Sequence, residues 1–233
     1  MNLNYTPTER IRVDGPVDRI KYITTVCNHK KVLDLGCYDE TARIKECSGN
    51  YLFEEISVVA AHHVGVDNSV LIPDKGVFFG KHTYILKGDI YELGNIDFGN
   101  IEFDVIIAGE LIEHLPDTLR FFTTLKDLFP GKRLICTTPN ATSFSNMVLS
   151  FVNRESAHKD HLQVYSLKTL NTLCNLSHFQ EWKIIPYHVR FTEMIMQASS
   201  GKKQMVKMSQ TLINGIEKLF PMTAGGYIID IVL

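Results

Sequence analysis

Between Lys30 and Glu40 the chain reads KKVLDLGCYDE, with Val32, Leu33 and Leu35 around an aspartate and a stop at Gly36. A short apolar run closed by glycine reads as a buried strand that delivers a carboxylate and a tight turn to one end of a sheet. In an open α/β sheet, ligands gather at the carboxyl ends of the strands, where a turn exposes backbone amides and a helix follows. The position of the acid narrows the type of ligand. A dinucleotide turn passes from its strand straight into G-x-G-x-x-G and keeps its ribose-binding acid much further on. Here Asp34 lies inside the strand end, ahead of the only glycine of the turn.

The pattern recurs along the chain. Gly15-Pro16 opens a helix reaching Val26, with Val17, Ile20, Ile23 and Cys27 on one side. A short helix is expected from Glu40 to Cys47 and a helical turn between Tyr51 and His62. Strands follow at His63 to Asp67, Thr83 to Lys87, Phe103 to Ile107 and Arg133 to Thr138, with a loop over Ile72 to Gly80 and a helix over Thr118 to Phe129. Strands that each end in a small or polar residue and alternate with helices predict an α/β, doubly wound, mostly parallel sheet. Beyond Pro139-Asn140, Ala141 to Tyr165 reads as an insertion and Ser166 to Leu176 as a capped helix. Glu181 to Val189 reads as a strand whose Pro186 suits an edge or a bulge. Thr192 to Phe220 reads as two helices divided at Ser199-Ser200-Gly201, and Tyr227 to Leu233 as a last strand. The expectation is a single domain over residues 1–233, with residues 190–226 as a helical cap or lid within it.

Composition excludes several classes of function. At 233 residues the chain suits one decorated α/β domain. No stretch approaches the roughly 18 uninterrupted apolar residues of a membrane span, and MNLNYTPTERIRVDG lacks the hydrophobic core of a secretory leader. A soluble, cytoplasmic protein without a membrane partner is expected. The five cysteines contain no C-x-x-C pair, which fits small buried hydrophobes in a reducing compartment rather than a zinc cluster. A net charge of −2 gives no global attraction for nucleic acid, so nucleic acid is not the expected partner.

Asp34-Leu35-Gly36 resembles motif I of the class I S-adenosylmethionine-dependent methyltransferases, an acid-x-Gly-x-Gly-x-Gly run that carries the methionine end of the cofactor. Tyr38 and Glu40 stand where that pattern has its second and third glycines, and a side chain at positive φ would carry a steric cost. Val66-Asp67-Asn68-Ser69 resembles the second motif, whose acid accepts from the ribose hydroxyls. The resemblance implies that Asp89 lies beside the adenine amino group and that Ile90 packs on the ring. It implies S-adenosylmethionine bound by Asp34, Gly36, Cys37, Tyr38, Asp67, Asn68, Asp89, Ile90 and Glu110. It also implies a seven-stranded Rossmann-like sheet with an antiparallel last strand, which Tyr227 to Leu233 fits. A degenerate member that keeps the fold as a binding module is the reading Tyr38 and Glu40 motivate.

Gly109-Glu110-Leu111-Ile112-Glu113-His114-Leu115-Pro116-Asp117 is the most specific short run. Wound as helix, it would put Glu110 on the side of Glu113 and His114. The E-x-x-E-H run and Thr137-Thr138-Pro139-Asn140 resemble the ubiquinone-type O-methyltransferases and their small-molecule relatives, as does Leu162-Gln163-Val164-Tyr165-Ser166 with Leu170. E-x-x-E-H and Thr137-Thr138-Pro139-Asn140 also resemble the small-RNA 3′-terminal 2′-O-methyltransferases, in which two Glu, a first His and a later His bind a divalent metal. His158-Lys159-Asp160-His161 offers that later histidine, but the RNA group's aromatic-acid-tryptophan run does not follow it. The expected function is therefore O-methylation of a small-molecule acceptor such as a sugar or biosynthetic intermediate, with metal-dependent RNA 2′-O-methylation as the alternative. Positioning supplies much of the rate of methyl transfer, and a hydroxyl nucleophile gains from a base or a metal. His161, His158 and His114 are the candidate catalytic residues, and Glu110, Glu113, His114 and His161 form a candidate set for a divalent metal.

Overall fold

The chain is described from a computed structural model covering residues 3–6, 8–38 and 51–233. Glu40 and the helix expected up to Cys47 lie outside these residues.

Helix α1 (Arg19–Cys27) is started by Asp18, whose carboxylate accepts the Lys21 N–H, and it leads into β1 (Lys31–Leu35). Helix α2 (Leu52–Val59) occupies most of the mixed stretch after Tyr51, and β2 (His62–Asp67) follows it. Next come β3 (Val77–Phe78), β4 (Thr83–Lys87), β5 (Val105–Gly109), α3 (Thr118–Leu128) and β6 (Arg133–Pro139). The later part holds α4 (Phe144–Ser150), α5 (Leu167–Leu176), β7 (Glu181–Tyr187), α6 (Thr192–Gln197), α7 (Ser200–Leu219) and β8 (Gly226–Val232). Ser166 and Thr169 cap α5 reciprocally, side chain to backbone in both directions, so the predicted start of that helix has an explicit cause.

One sheet runs β3-β4-β2-β1-β5-β6-β8-β7. Strands β4, β2, β1, β5 and β6 pair in parallel, and β8 runs antiparallel to both β6 and β7. The doubly wound sheet with an antiparallel last strand is thus as expected, with one strand more than seven. The addition is β3, inside the stretch read as a loop. Gly76, at φ +80, turns the chain so that Val77 and Phe78 pair with Ile85 and Tyr84, and Phe78 stacks on Tyr84. Two residues are too few for any alternation to register in the sequence. Pro186 sits on the edge strand β7, where Val17 donates its N–H to the Pro186 carbonyl and covers part of the edge.

Alternate β1 residues feed opposite faces. Leu33 and Leu35 pack with Phe121, Phe122, Leu125, Leu167 and Leu170 from α3 and α5. Val32 packs with Ile23 and Cys27 of α1 and Ile56 of α2. From β1 the chain builds outward through β2 and β4 on one side, and from β5 through β6 on the other. The order therefore reverses between β1 and β5, which opens a crevice at their carboxyl ends.

Candidate active site

That crevice is a cleft of ≈ 760 Å³, bordered by Asp34, Gly36, Tyr38, Asp67, Asp89 and Glu110 among others. Cys37, Asn68, Ile90, His114, His158 and His161 also line it, whereas Glu113 lies buried behind its wall. All nine residues expected around the cofactor therefore border one cavity, of a size that suits a small-molecule ligand.

The turn after β1 is built on Gly36, at φ +64, where an added Cβ would lie 2.6 Å from Leu111 Cδ1. The left-handed residue is thus the glycine itself. Tyr38 is outside the positive-φ region, so the steric cost expected of it does not arise. Its N–H donates to Asp67 Oδ2 at 3.0 Å, and its ring packs on the cluster of Cys37, Tyr51, Phe53 and Ile85. Asp67 also accepts the Ser69 N–H at 2.8 Å. Burial raises its carboxyl above the usual range, against the pull of these amides.

Asp34 is buried, and its Oδ2 lies 3.3 Å from His63 Nε2, while Ser57 Oγ lies 2.9 Å from His63 Nδ1. The Ser57 hydroxyl donates to the Phe53 carbonyl, which leaves it to accept from Nδ1–H. Burial raises the Asp34 carboxyl and the His63 bond opposes it. Asp34 thus borders the cleft from beneath the turn, with His63 as a partner that the sequence did not indicate.

Glu110 departs from the helical expectation. Strand β5 runs to Gly109, Glu110 adopts φ +53, and helical winding is confined to one 3-10 turn, Ile112–His114. The cause is the ladder, because the Glu110 N–H donates to the Thr137 carbonyl of β6 at 3.1 Å. A non-glycine residue held there stores backbone strain of the kind that collects at functional sites. Its Oε1 accepts from Thr137 Oγ1 and Tyr187 Oη, each at 2.8 Å, and lies 3.2 Å from Arg19 Nη1. Arg19, Thr137 and Tyr187 come from α1, β6 and β7, and no local pattern marks them as one group.

Glu113, His114 and His161 do come together, with one ligand atom of each within 4.8 Å of the others. Glu110 stands apart from this group, turned to Arg19, Thr137 and Tyr187. The His161 loop is tied to the 3-10 turn by backbone: Leu162 and Gln163 both donate N–H to the Glu113 carbonyl, at 2.9 and 3.0 Å. The His114 ring is 4.7 Å from that of His161 and 6.2 Å from that of His158, centre to centre. Burial and the neighbouring imidazoles His114 and His158 lower the His161 pKa. Glu113 is 1% exposed and, among the described residues, neither carboxylate oxygen has a hydrogen-bond partner of normal geometry. Burial first, and then the charge of Glu110, push its pKa up to about 8, although the Thr138 hydroxyl pulls it down. A buried carboxyl with two unpartnered oxygens is costly unless a proton or a cation completes it. Carboxylate and imidazole donors suit Mg, Mn, Fe or Zn, so the three residues fit a divalent metal.

A methyltransferase-domain family model matches residues 17–183. No curated protein sequence matches the chain. Among solved structures, a SAM-dependent methyltransferase from Archaeoglobus fulgidus is 16% identical with a TM-score of 0.52, covering 91% of this chain and 90% of its own. An S-adenosylmethionine-dependent methyltransferase from Mesorhizobium loti is 11% identical with a TM-score of 0.52, covering 92% and 95%. The small RNA methyltransferase HEN1 is 16% identical with a TM-score of 0.56, covering 97% of this chain but 27% of its own. Likeness at these identities is likeness of fold. The family match spans most of the chain and contains the whole cofactor-type cleft, and on it the chain belongs to the methyltransferase domain family.

Proposed function

We propose that the chain transfers a methyl group from S-adenosylmethionine to a hydroxyl of a small-molecule acceptor, in the manner of the ubiquinone-type O-methyltransferases and their sugar-modifying relatives. S-Adenosylmethionine is the methyl donor of this enzyme. In this reading Asp67 accepts from the ribose diol, Asp89 and Ile90 flank the adenine, and the Gly36 turn with Glu110 receives the methionine end. The acceptor lies toward His114, His158 and His161. The observation that carries the reading is the approach of Glu113, His114 and His161 to within 4.8 Å of one another beside the cleft that Asp67 and Glu110 border. Neutral His161, its pKa lowered by burial, is suited to take the hydroxyl proton. In the alternative arrangement, with His161 engaged as a ligand, a divalent metal on Glu113, His114 and His161 would favour the alkoxide form of the acceptor and leave His158 to take the proton.

The test is calorimetric titration with S-adenosylhomocysteine, followed by an acceptor screen that reads methyl transfer. The wild-type chain is expected to bind and Asp67→Ala to lose at least about tenfold, one ribose hydrogen-bond set being worth roughly 1.5–3 kcal/mol. Absence of binding by the wild-type chain would sink the proposal. The same three-residue group favours a second reading, metal-dependent RNA 2′-O-methylation. It requires turnover on RNA that is lost to chelator and to Glu113→Gln, and chelator-insensitive turnover would remove it.

A further inference from the structure

Helix α7, Ser200–Leu219, carries an apolar stripe on its solvent side. At 20 residues it is about 30 Å long. Its inward side, with Val206, Gln210, Ile213, Ile216 and Glu217, is half-buried or buried. Gln210 there accepts the Phe191 N–H, and Glu217 pairs with His188. Met205, Met208 and Leu212 follow one another at spacings of three and four, so they share a face, and they are 68, 64 and 67% exposed. Leu219 extends the stripe, and α4, which packs against α7, leads into a further exposed pair, Phe151 and Val152. Lys202 is exposed to one side of the stripe and Lys207 and Lys218 to the other, with Lys203 exposed on the far side, while the only acid of the helix, Glu217, is buried. The outer surface of α7 is therefore apolar along its centre and cationic at its flanks, on a chain whose net charge is −2.

We infer that α7 is an interfacial helix that seats the protein on an anionic lipid surface. A helix of this composition lies in the plane of the headgroups, its apolar side chains entering the acyl boundary and its lysines extending to phosphates. Among the described residues no helix is long and apolar enough to cross a membrane, and a helix lying on the surface has no need to be. The charge distribution selects this occupant. A nucleic-acid backbone would pair with the lysines and leave the methionine–leucine stripe against phosphate and water. A second copy of α7 would set one outer face carrying lysines and no exposed acid against another of the same sign. Anionic lipid satisfies both the stripe and its flanks. The inference rests on α7 alone and does not depend on the identity of the methyl acceptor.

The experiment is co-sedimentation of the full chain with phosphatidylcholine vesicles containing about one-third phosphatidylglycerol, against pure phosphatidylcholine. The wild-type chain is expected to bind the anionic vesicles at least roughly tenfold more strongly, with binding falling as salt rises. The exposed substitutions Met205→Ser, Met208→Ser and Leu212→Ser together are expected to abolish sedimentation with an unchanged melting temperature. Lys202→Gln, Lys207→Gln and Lys218→Gln together are expected to weaken it by about a hundredfold. A wild-type chain that stays in the supernatant overturns the inference, as does binding that survives the serine variant. Light scattering that gives a dimer abolished by Leu212→Ser assigns the face to self-association, and RNA binding lost in the serine variant assigns it to RNA. Either result also overturns it.

Discussion

Leu162 donates its backbone N–H to the carbonyl oxygen of Glu113 at 2.9 Å, so the loop that carries His161 hangs from the turn that carries His114. Gln163 reinforces the link, with its side-chain amide donating to the Leu115 carbonyl at 2.8 Å. Gln163→Ala should loosen the registry of the two histidines while leaving the sheet untouched. A stability loss of about 1 kcal/mol is expected beside a fall in kcat of roughly tenfold to a hundredfold. Equal losses in the thermal melt and in turnover would show that the link serves only stability.

Gly36 supplies the left-handed residue of the turn after β1 and the space that Leu111 fills. Gly36→Ala combines a backbone cost of about 1–2 kcal/mol with displacement of Leu111, and it should weaken S-adenosylhomocysteine binding as well as lower Tm. Gly36→Ala with Leu111→Ala removes the clash but not the backbone cost. The double variant should regain part of the affinity, and failure to regain any would mean that Leu111 is not what the alanine displaces.

Glu113 gives the apo protein a pH dependence of definite sign. Its pKa is raised from 4.5 to about 8 in the fold, so between these values the folded state holds a proton that the unfolded state has released. Stability from this group therefore falls as pH rises through that window, by at most about 1.4 kcal/mol per pH unit. Glu113→Gln has no such proton, so denaturant melts should show the variant gaining on the wild type from about pH 5 to about pH 8. A Mn²⁺ ion held by the deprotonated carboxylate should raise the wild-type Tm at the alkaline end and leave the variant unmoved. Parallel melts of the two proteins at every pH would contradict the assignment.

Away from the cleft, Arg133 donates to both carboxylate oxygens of Asp230, at 2.8 and 2.6 Å, and Tyr22 Oη donates to Oδ2 at 2.5 Å. This joins α1 to β6 and β8. Asp230→Asn should cost about 1–3 kcal/mol and leave S-adenosylhomocysteine affinity within about twofold, since the group is far in the fold from Asp67 and Glu110. A marked loss of affinity would mean that this network also holds the cofactor turn.

Much of this was legible in the sequence because it is written within single elements. Strand-end acids at Asp34, Asp67 and Asp89, the glycine turn and the capped start of α5 each depend on neighbours along the chain, and each lies where the pattern put it. The group around Glu110 was not legible. Arg19, Thr137 and Tyr187 meet it across α1, β6 and β7, and periodicity registers which face of an element is buried, not what it touches. The spacing of Glu110 to Glu113 and His114 fits a helix, whereas a hydrogen bond to Thr137 holds it just past the end of β5. His63 looked like an ordinary strand residue, and its role beneath Asp34 follows only from the pairing of β1 with β2.

The position of β8 also bears on how the molecule is made. Strand β8 follows β7 in sequence but lies between β6 and β7, so β7 has no other strand partner within the sheet. The parallel half can assemble as the chain emerges, whereas β7 has only the short bridge to Val17 until α6 and α7 have been spanned and β8 has arrived. Tyr187, carried on β7, reaches Glu110 only then. The Tyr187–Glu110 hydrogen bond is thus coupled to the arrival of β8, whose pairing with β6 joins the two neighbouring strands most widely separated in sequence, and amide-exchange pulses during refolding should find the Glu110 neighbourhood protected late, together with β7 and β8.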